Sequence, residues 1–523
     1  MATISLLKEK GRPTSTLAAI LFLSLLMAGR LVVQIRLYQQ GFISVSADEF
    51  ARGLRALTWS QAPRISPAAD LISPWPPFEM YLNGTVLLII DDVLLAPRLT
   101  VFLASCLLLV ALFLLTDYLF NRITAVLTVI MVAVQPWVIW LSGTPMLEMY
   151  FLACFISGVY AIIIWLDQQR RFYWIGAGLF FFLASGLHVQ SWMLINLVNL
   201  FTLPYFYQFI QQRNYKQAAQ LFGFWLLGNS YIIFWGVAEY AMTGQLFGIL
   251  ASHTSYSLWF YDGYNVATSE KLLYFPRIVW HNFPPLLWLW GGAGLFFILR
   301  GSALSRRLFL LALGSLTLLT ASIFNLASGP PSAAPDRYVL LYVLLFSPYA
   351  AYGLFRLGKW TMQANRRPVA YLGTGLLAVL LAVMVGHGLQ QTAVFPQGVS
   401  PNTIQTGRYL HNILTADETD TRLSANQTIM VEALYWDFLA LELLTRQSQQ
   451  LIYDREHDYL NRDNPSLFEA DTAVIHSHLS QTDVALIVLR NPSLQEKAAS
   501  LSYLTPHQQI GSWAVFRFVD ATP

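Results

Sequence analysis

Apolar residues fill the first three quarters of this chain in blocks separated by short polar breaks. A block must hold roughly 20 residues to cross a ~30 Å hydrocarbon layer. Eleven qualify: 15–35, 98–118, 123–141, 147–166, 172–188, 190–209, 218–238, 276–299, 308–327, 338–355 and 369–389. Another apolar run, Met80 to Ile90, is too short, about 17 Å at 1.5 Å per residue. Pro76-Pro77 introduce it, Asp91 and Asp92 close it, and Pro97 follows. Carrying a helix through both aspartates into lipid would cost roughly 2.5–3.5 kcal/mol for each. The pattern predicts an interfacial helix that lies on the membrane.

Basic residues test that choice. With the N-terminus cytoplasmic, the inner loops hold Arg122; Arg170 and Arg171; Arg213 and Lys216; Arg300, Arg306 and Arg307; and Arg356, Lys359, Arg366 and Arg367. Every inner loop is then basic, as the positive-inside rule requires. Counting the short run as a span would put most of these charges outside. Lys8, Lys10 and Arg12 ahead of Leu17–Met27 look like a secretory signal. No convincing small-x-small cleavage site precedes the polar stretch, so the run reads as a retained first helix. Outside lie a first loop (36–97), a turn (142–147), the loop 239–275 and a tail.

From about residue 390 polar and charged residues occur throughout. Thr428–Glu432, Gln450–Tyr453, Ala473–His476 and Val484–Leu489 read as short strands, with helical patterns at 434–446 and 494–502. The expected fold is an all-α polytopic membrane bundle of about 11 spans over 1–390, followed by a small extracytoplasmic α/β domain over 391–523.

Composition agrees: 55% of the 523 residues are hydrophobic, 12% charged, and mean hydropathy is +0.49. A soluble domain carries about twice that charged fraction. The net charge of +3 and the lack of a basic, aromatic-interleaved stripe argue against a nucleic-acid partner. The 16 Trp suit interfacial belts. Cys106 and Cys154 sit in apolar runs and read as small hydrophobes.

No Asp, Glu, Lys or Arg falls near the middle of a predicted span. That weighs against proton relays and ion-coupled transport and sends acid–base chemistry to a membrane face. The first outer loop opens Ser46-Ala47-Asp48-Glu49-Phe50-Ala51-Arg52. Adjacent carboxylates point about 100° apart on a helix, so one faces a pocket while the other braces it. Asp48 and Arg52 stand i, i+4 and are spaced to pair. Glu148 begins the fourth span after Ser142-Gly143-Thr144-Pro145, and the topology puts it on the face of Asp48 and Glu49. Each acid alone fits a helix-start carboxylate favoured by the dipole. Together they offer a general base and a metal or amine ligand. His476 and His478 alternate along a predicted strand without further ligands, and His253 and His281 read as structural.

This order of elements resembles the GT-C superfamily of membrane glycosyltransferases, which use polyprenyl-phosphate-linked sugars. The likeness rests on an Asp-Glu at the head of a long first outer loop, a Pro-Pro pair before a non-spanning helix, and an acid in the second outer loop. It implies Asp48 as catalytic acid residue of the first loop with Glu49 its neighbour, and Glu148 as the second-loop acid that binds substrate or possible divalent metal. Arg337, at the outer mouth of the tenth span, resembles an arginine that meets the donor phosphate. The resemblance also implies substrate-binding roles for Arg52, as positive charge for the phosphate, and for His188, lining the same cavity; an interfacial histidine is the alternative for His188. Many relatives carry Lys or His before the Pro-Pro pair, where this chain has Trp75. The implied reaction is single displacement at the sugar C1 with inversion, from a polyprenyl-phosphate donor embedded in membrane lipid to a glycan, lipid or protein acceptor. The resemblance fixes no cofactor and leaves a divalent metal open. The resemblance implies the plasma (inner) membrane and a bacterial source. A transporter or flippase of lipid-linked glycans, and a membrane scaffold presenting the tail domain, are the alternatives.

Overall fold

The computed structural model describes residues 13–65, 75–260, 265–300, 304–329, 335–363, 367–396, 398–415, 423–424, 426–432, 435–446, 448–454 and 465–519. The apolar blocks form helices: α1 Pro13–Gln39, α4 Leu95–Leu119, α7 Leu147–Gln168, α8 Arg171–Leu187, α9 Gln190–Gln211, α10 Tyr215–Thr243, α14 Leu304–Ser328, α15 Leu340–Met362 and α16 Arg367–Thr392. Two predicted spans are not single helices. The 123–141 block divides into α5 Arg122–Ala133 and α6 Pro136–Leu141, because proline lacks an N–H and crowds the preceding turn. The 276–299 block divides at Phe283-Pro284 into α12 Thr268–Asn282 and α13 Pro285–Leu299, bent by 101°. Among the described residues eight helices are long and apolar enough to cross a membrane, or nine if that bent pair forms one span.

The long loop after α1 carries α2 Asp48–Gln61 and α3 Phe78–Leu87. At 10 residues α3 is too short to span. Asp92 ends the segment and begins the next: its Oδ1 accepts the N–H groups of Leu94 and Leu95 at 2.9 and 2.8 Å.

The bundle core centres on α7. Phe155 stacks on Phe181 of α8 at 5.5 Å, and Trp165 is fully buried. Helices α13 and α15 touch backbone to backbone. A Cβ on Gly353 would stand 1.9 Å from the Trp290 carbonyl oxygen, and one on Gly294 would stand 2.0 Å from that of Tyr349. Small residues permit such approach in membrane helices. Arg30, in the C-terminal half of α1, is buried. Its Nη2 donates to Val138 O at 3.3 Å and to the Ser142 hydroxyl. Gln34 Nε2 donates to Ile139 O at 2.6 Å. α1 thereby satisfies the carbonyl end of α6, where a helix leaves acceptors unpaired.

The tail comprises α17 Pro401–Thr415, α18 Tyr435–Thr445, α19 Thr472–Gln481, α20 Pro492–Ala499 and strands β1 Thr428–Val431, β2 Leu451–Tyr453, β3 Val484–Leu489, β4 Leu504–Ile510 and β5 Trp513–Phe518. The strands form a sheet ordered β2-β1-β3-β5-β4. β2, β1 and β3 run parallel, while β5 pairs antiparallel with β3 and with β4. The stretch predicted as a strand at 473–476 is helical. Ile475 and Leu479, spaced i, i+4, are the buried residues of α19, so His476 and His478 do not alternate along a strand. β4 escapes a hydrophobic-pattern reading because its interior is exposed and polar; β5, not among the expected strands, is apolar and largely buried.

Tail and bundle meet at α2. Leu443 of α18 covers Gly53, where a Cβ would lie 2.7 Å from its Cδ2. Arg446 pairs with Asp91, and Gly398 N–H donates to Ser44 O at 3.1 Å. The domain is seated on the loop that carries Asp48.

Because α15 follows directly from the turn bearing Arg337, the α13–α15 contact bears on that residue's height. Gly353→Ala forces a methyl into a carbonyl and is expected to cost about 1–3 kcal/mol. A lower unfolding temperature in detergent checks it, whereas Gly375→Ala, which meets nothing within 4 Å, is expected to leave the temperature unchanged.

Candidate active site

Asp48 stands at the head of α2, where its N–H donates to Ser46 Oγ at 3.2 Å. Its carboxylate does not turn along its own helix to Arg52. It reaches across the fold to Arg337, with Nη2 to Oδ2 at 3.3 Å. Arg337 lies in the 3-10 turn Pro335–Val339 that precedes α15. Its Nε faces Glu148 Oε1 at 3.2 Å. One guanidinium therefore lies between two carboxylates drawn from α2 and from the start of α7. Arg337 and Glu148 are almost sealed, with 4% and 1% of their side chains exposed, while Asp48 keeps 28%. Only the first-loop carboxylate of this pair is open to an incoming molecule.

Three further groups orient the arginine. Tyr338 OH accepts from Nη2 at 3.1 Å, and the Tyr338 ring lies 5.0 Å from the guanidinium carbon. Met146 Sδ is 3.5 Å from Arg337 Nη1 and 3.3 Å from Arg52 Nη1. His188, just beyond the end of α8, approaches Glu148 Oε1 with Nε2 at 3.9 Å. Its Nδ1 accepts the Gln190 N–H at 3.0 Å, which leaves the neutral ring's hydrogen on Nε2. Burial first, then the positive fields of Arg52 and Arg337, hold this imidazole well below its ordinary range.

Glu49 is not brought into this group. The helix turns it away, and its Oε1 accepts the Val45 N–H at 2.9 Å while the side chain is buried. Burial pushes its carboxyl up to about 8, against the opposing pull of that hydrogen bond and of Arg98. Below that pH it is chiefly neutral, a brace for the turn that presents Asp48. Glu79 of α3 was not singled out from the sequence, although it follows the Pro-Pro pair by two residues. It is buried beside Arg52 and Arg55, takes the Asn83 amide, and is linked through Asn83 Oδ1 to Tyr150 OH at 3.0 Å. Burial raises its carboxyl above the usual range. Met146 carries no sequence signal for a role beside two arginines.

These side chains do not fit a divalent ion. Asp48 and Glu148 both face Arg337, and among the described residues no group of three or more His, Cys, Asp or Glu is placed to hold a metal.

The state of Glu49 has a consequence for stability. Its carboxyl is raised relative to the unfolded chain, so its stabilising contribution is complete at pH values below about 4.5 and is lost as pH rises through about 8. Glu49→Gln keeps the shape without the charge. The variant is expected to match the parent's unfolding temperature at pH 4 and to exceed it increasingly from there to pH 9; an equal decline in both proteins contradicts the assignment.

No protein-family model and no curated protein sequence matches the chain. Solved structures do. ArnT from Cupriavidus metallidurans bound to undecaprenyl phosphate superposes with a TM-score of 0.60 at 14% identity, covering 95% of this chain and 98% of ArnT. Its apo form gives 0.56 at 13%, covering 96% and 98%. The Archaeoglobus fulgidus oligosaccharyltransferase AglB, in complex with an inhibitory peptide and a dolichol-phosphate, gives 0.51 at 13%, covering 90% of this chain and 69% of AglB. Both are GT-C membrane glycosyltransferases. The chain has the GT-C fold.

Proposed function

We propose that this chain is an integral-membrane glycosyltransferase that moves a sugar from a polyprenyl-phosphate-linked donor to an acceptor, with inversion at C1. The observation that carries the reading is the single guanidinium of Arg337 shared by a buried Glu148 and a partly open Asp48. The shared fold with ArnT and AglB, seen with undecaprenyl phosphate and a dolichol-phosphate, supports a lipid-linked donor.

The chemistry divides between these groups. Asp48 accepts the proton of an acceptor hydroxyl or amine as that atom forms its bond to C1. The C1–oxygen bond to phosphate breaks, and the electron pair leaves with the polyprenyl phosphate. A phosphate leaving group needs little protonation but does need positive charge, which Arg337 and Arg52 supply from a site shielded from water. Glu148 and the neutral His188 hold Arg337 in place, and Glu148 keeps the buried cation paired. In a direct displacement the nucleophile enters opposite the departing phosphate, hence inversion. Positive-inside arithmetic puts the site on the extracytoplasmic face of the plasma membrane, with the N-terminus cytoplasmic and the tail domain outside. The first-loop acids and the seated tail suit a glycan, lipid or protein acceptor on that side.

Asp48→Asn is expected to lower transfer from a lipid-linked donor by at least about 100-fold while the protein inserts and unfolds as the parent does. Near-normal transfer in that variant, followed by mass spectrometry of the glycosylated product, would remove Asp48 from the base role. Glu148→Gln leaves Arg337 half-paired and is expected to lose about tenfold or more in kcat/KM. A loss no larger than that of the exposed-acid control Asp91→Asn would exclude Glu148 from the site.

A further inference from the structure

We propose that Trp75 is a positioning residue: its indole face holds the buried Arg52 guanidinium, so that the charge stays available to the donor phosphate. This deepens the preceding reading, in which Arg52 meets that phosphate. Arg52 lies one turn after Asp48 on α2 and is 2% exposed. Its guanidinium carbon is 4.8 Å from the Trp75 ring centroid, and Arg55 approaches the same ring at 5.9 Å. Its Nη1 touches Met146 Sδ at 3.3 Å, and its Nε is buried without a hydrogen-bond partner.

The surrounding acids are committed elsewhere. Asp48 goes to Arg337, Glu49 takes the Val45 N–H, and Glu79 takes the Asn83 amide. Glu79 still feels the field of Arg52, but among the described residues the groups in direct contact with the guanidinium are a π face and a thioether, both uncharged. A ring quadrupole attracts a cation without neutralising it, unlike a carboxylate. A buried cation without a carboxylate in direct contact is costly, and a phosphate that enters relieves that cost. Arg337 Nη1 lies 3.5 Å from the same Met146 sulfur, so the two guanidiniums meet at one side chain. A lysine at position 75 would repel Arg52 and Arg55, whereas the indole gathers them.

The test is direct binding of farnesyl phosphate to the purified full-length protein, for the parent, Trp75→Phe, Trp75→Leu, Arg52→Gln and Trp75→Leu/Arg52→Gln. Trp75→Leu is expected to weaken binding about threefold to thirtyfold. Trp75→Phe, which keeps a π face, is expected to recover most of that loss. In the Arg52→Gln background the Trp75→Leu change is expected to have no further effect, the signature of two residues acting as one. Additive losses, undiminished binding in Trp75→Leu, or equal losses in the Phe and Leu variants overturn the role of Trp75. Trp75→Met replaces Trp75→Leu if the latter does not fold, with the same expectations. Transfer by the parent protein from lipid-linked donors separates this inference from the enzymatic reading. An active parent with additive losses sinks Trp75 alone, and a parent inactive toward every lipid-linked donor sinks the enzyme.

Discussion

The structure turns on the need to pair one buried arginine. Taking a guanidinium out of water costs several kcal/mol unless carboxylates and hydrogen bonds replace the solvent. Arg337 obtains that replacement from Glu148, Asp48 and Tyr338. The two acids come from helices far apart in the chain, so α2, α7 and the turn before α15 must meet at one face. The close α13–α15 approach at Gly294 and Gly353 bears on the height of that turn. The contacts of Arg30 and Gln34 with α6 steady the segment leading through Ser142 to Met146 and Glu148. Much of the bundle serves, in effect, to bring three charges to one place.

The tail domain belongs to the same arrangement. Its helix α18 packs on α2 through Leu443 and Gly53, and Arg446 reaches Asp91 at the end of the first loop. Inside the tail, Asp437 of α18 pairs with Arg490 after β3 and accepts from Thr403 of α17 at 3.0 Å. Those bonds tie the sheet to the two helices that touch the bundle. The first loop is thus packed against the tail at Gly53 and Asp91, while Asp48 keeps an open side.

The spans were legible in the sequence because a lipid-crossing helix must be apolar for most of its length, and Asp91-Asp92 marked where one could not continue. Breaks within spans were less legible: Pro136 and Pro284 could be seen, but a proline in a membrane helix is often absorbed as a kink, and only packing decides a 101° turn. In the tail, the run Ala473–His476 is short enough for either helix or strand. The i, i+4 pair Ile475 and Leu479 decided it through burial that local pattern does not reveal. At the site, residue types and shared sidedness could be read, while partners could not. Asp48 and Arg52 have good helical spacing, yet Asp48 is taken by a residue 289 positions away. Met146 and Glu79 gained their neighbours from the tertiary fold alone.

The most direct test of this account is a cryo-electron microscopy structure of the full-length protein in lipid with a polyprenyl phosphate bound. Phosphate density is expected against the guanidiniums of Arg337 and Arg52, beside Met146, with the Asp48 carboxylate on the side open to an acceptor. A phosphate seated away from both arginines, or Asp48 and Glu148 found on opposite faces of the bilayer, would contradict it.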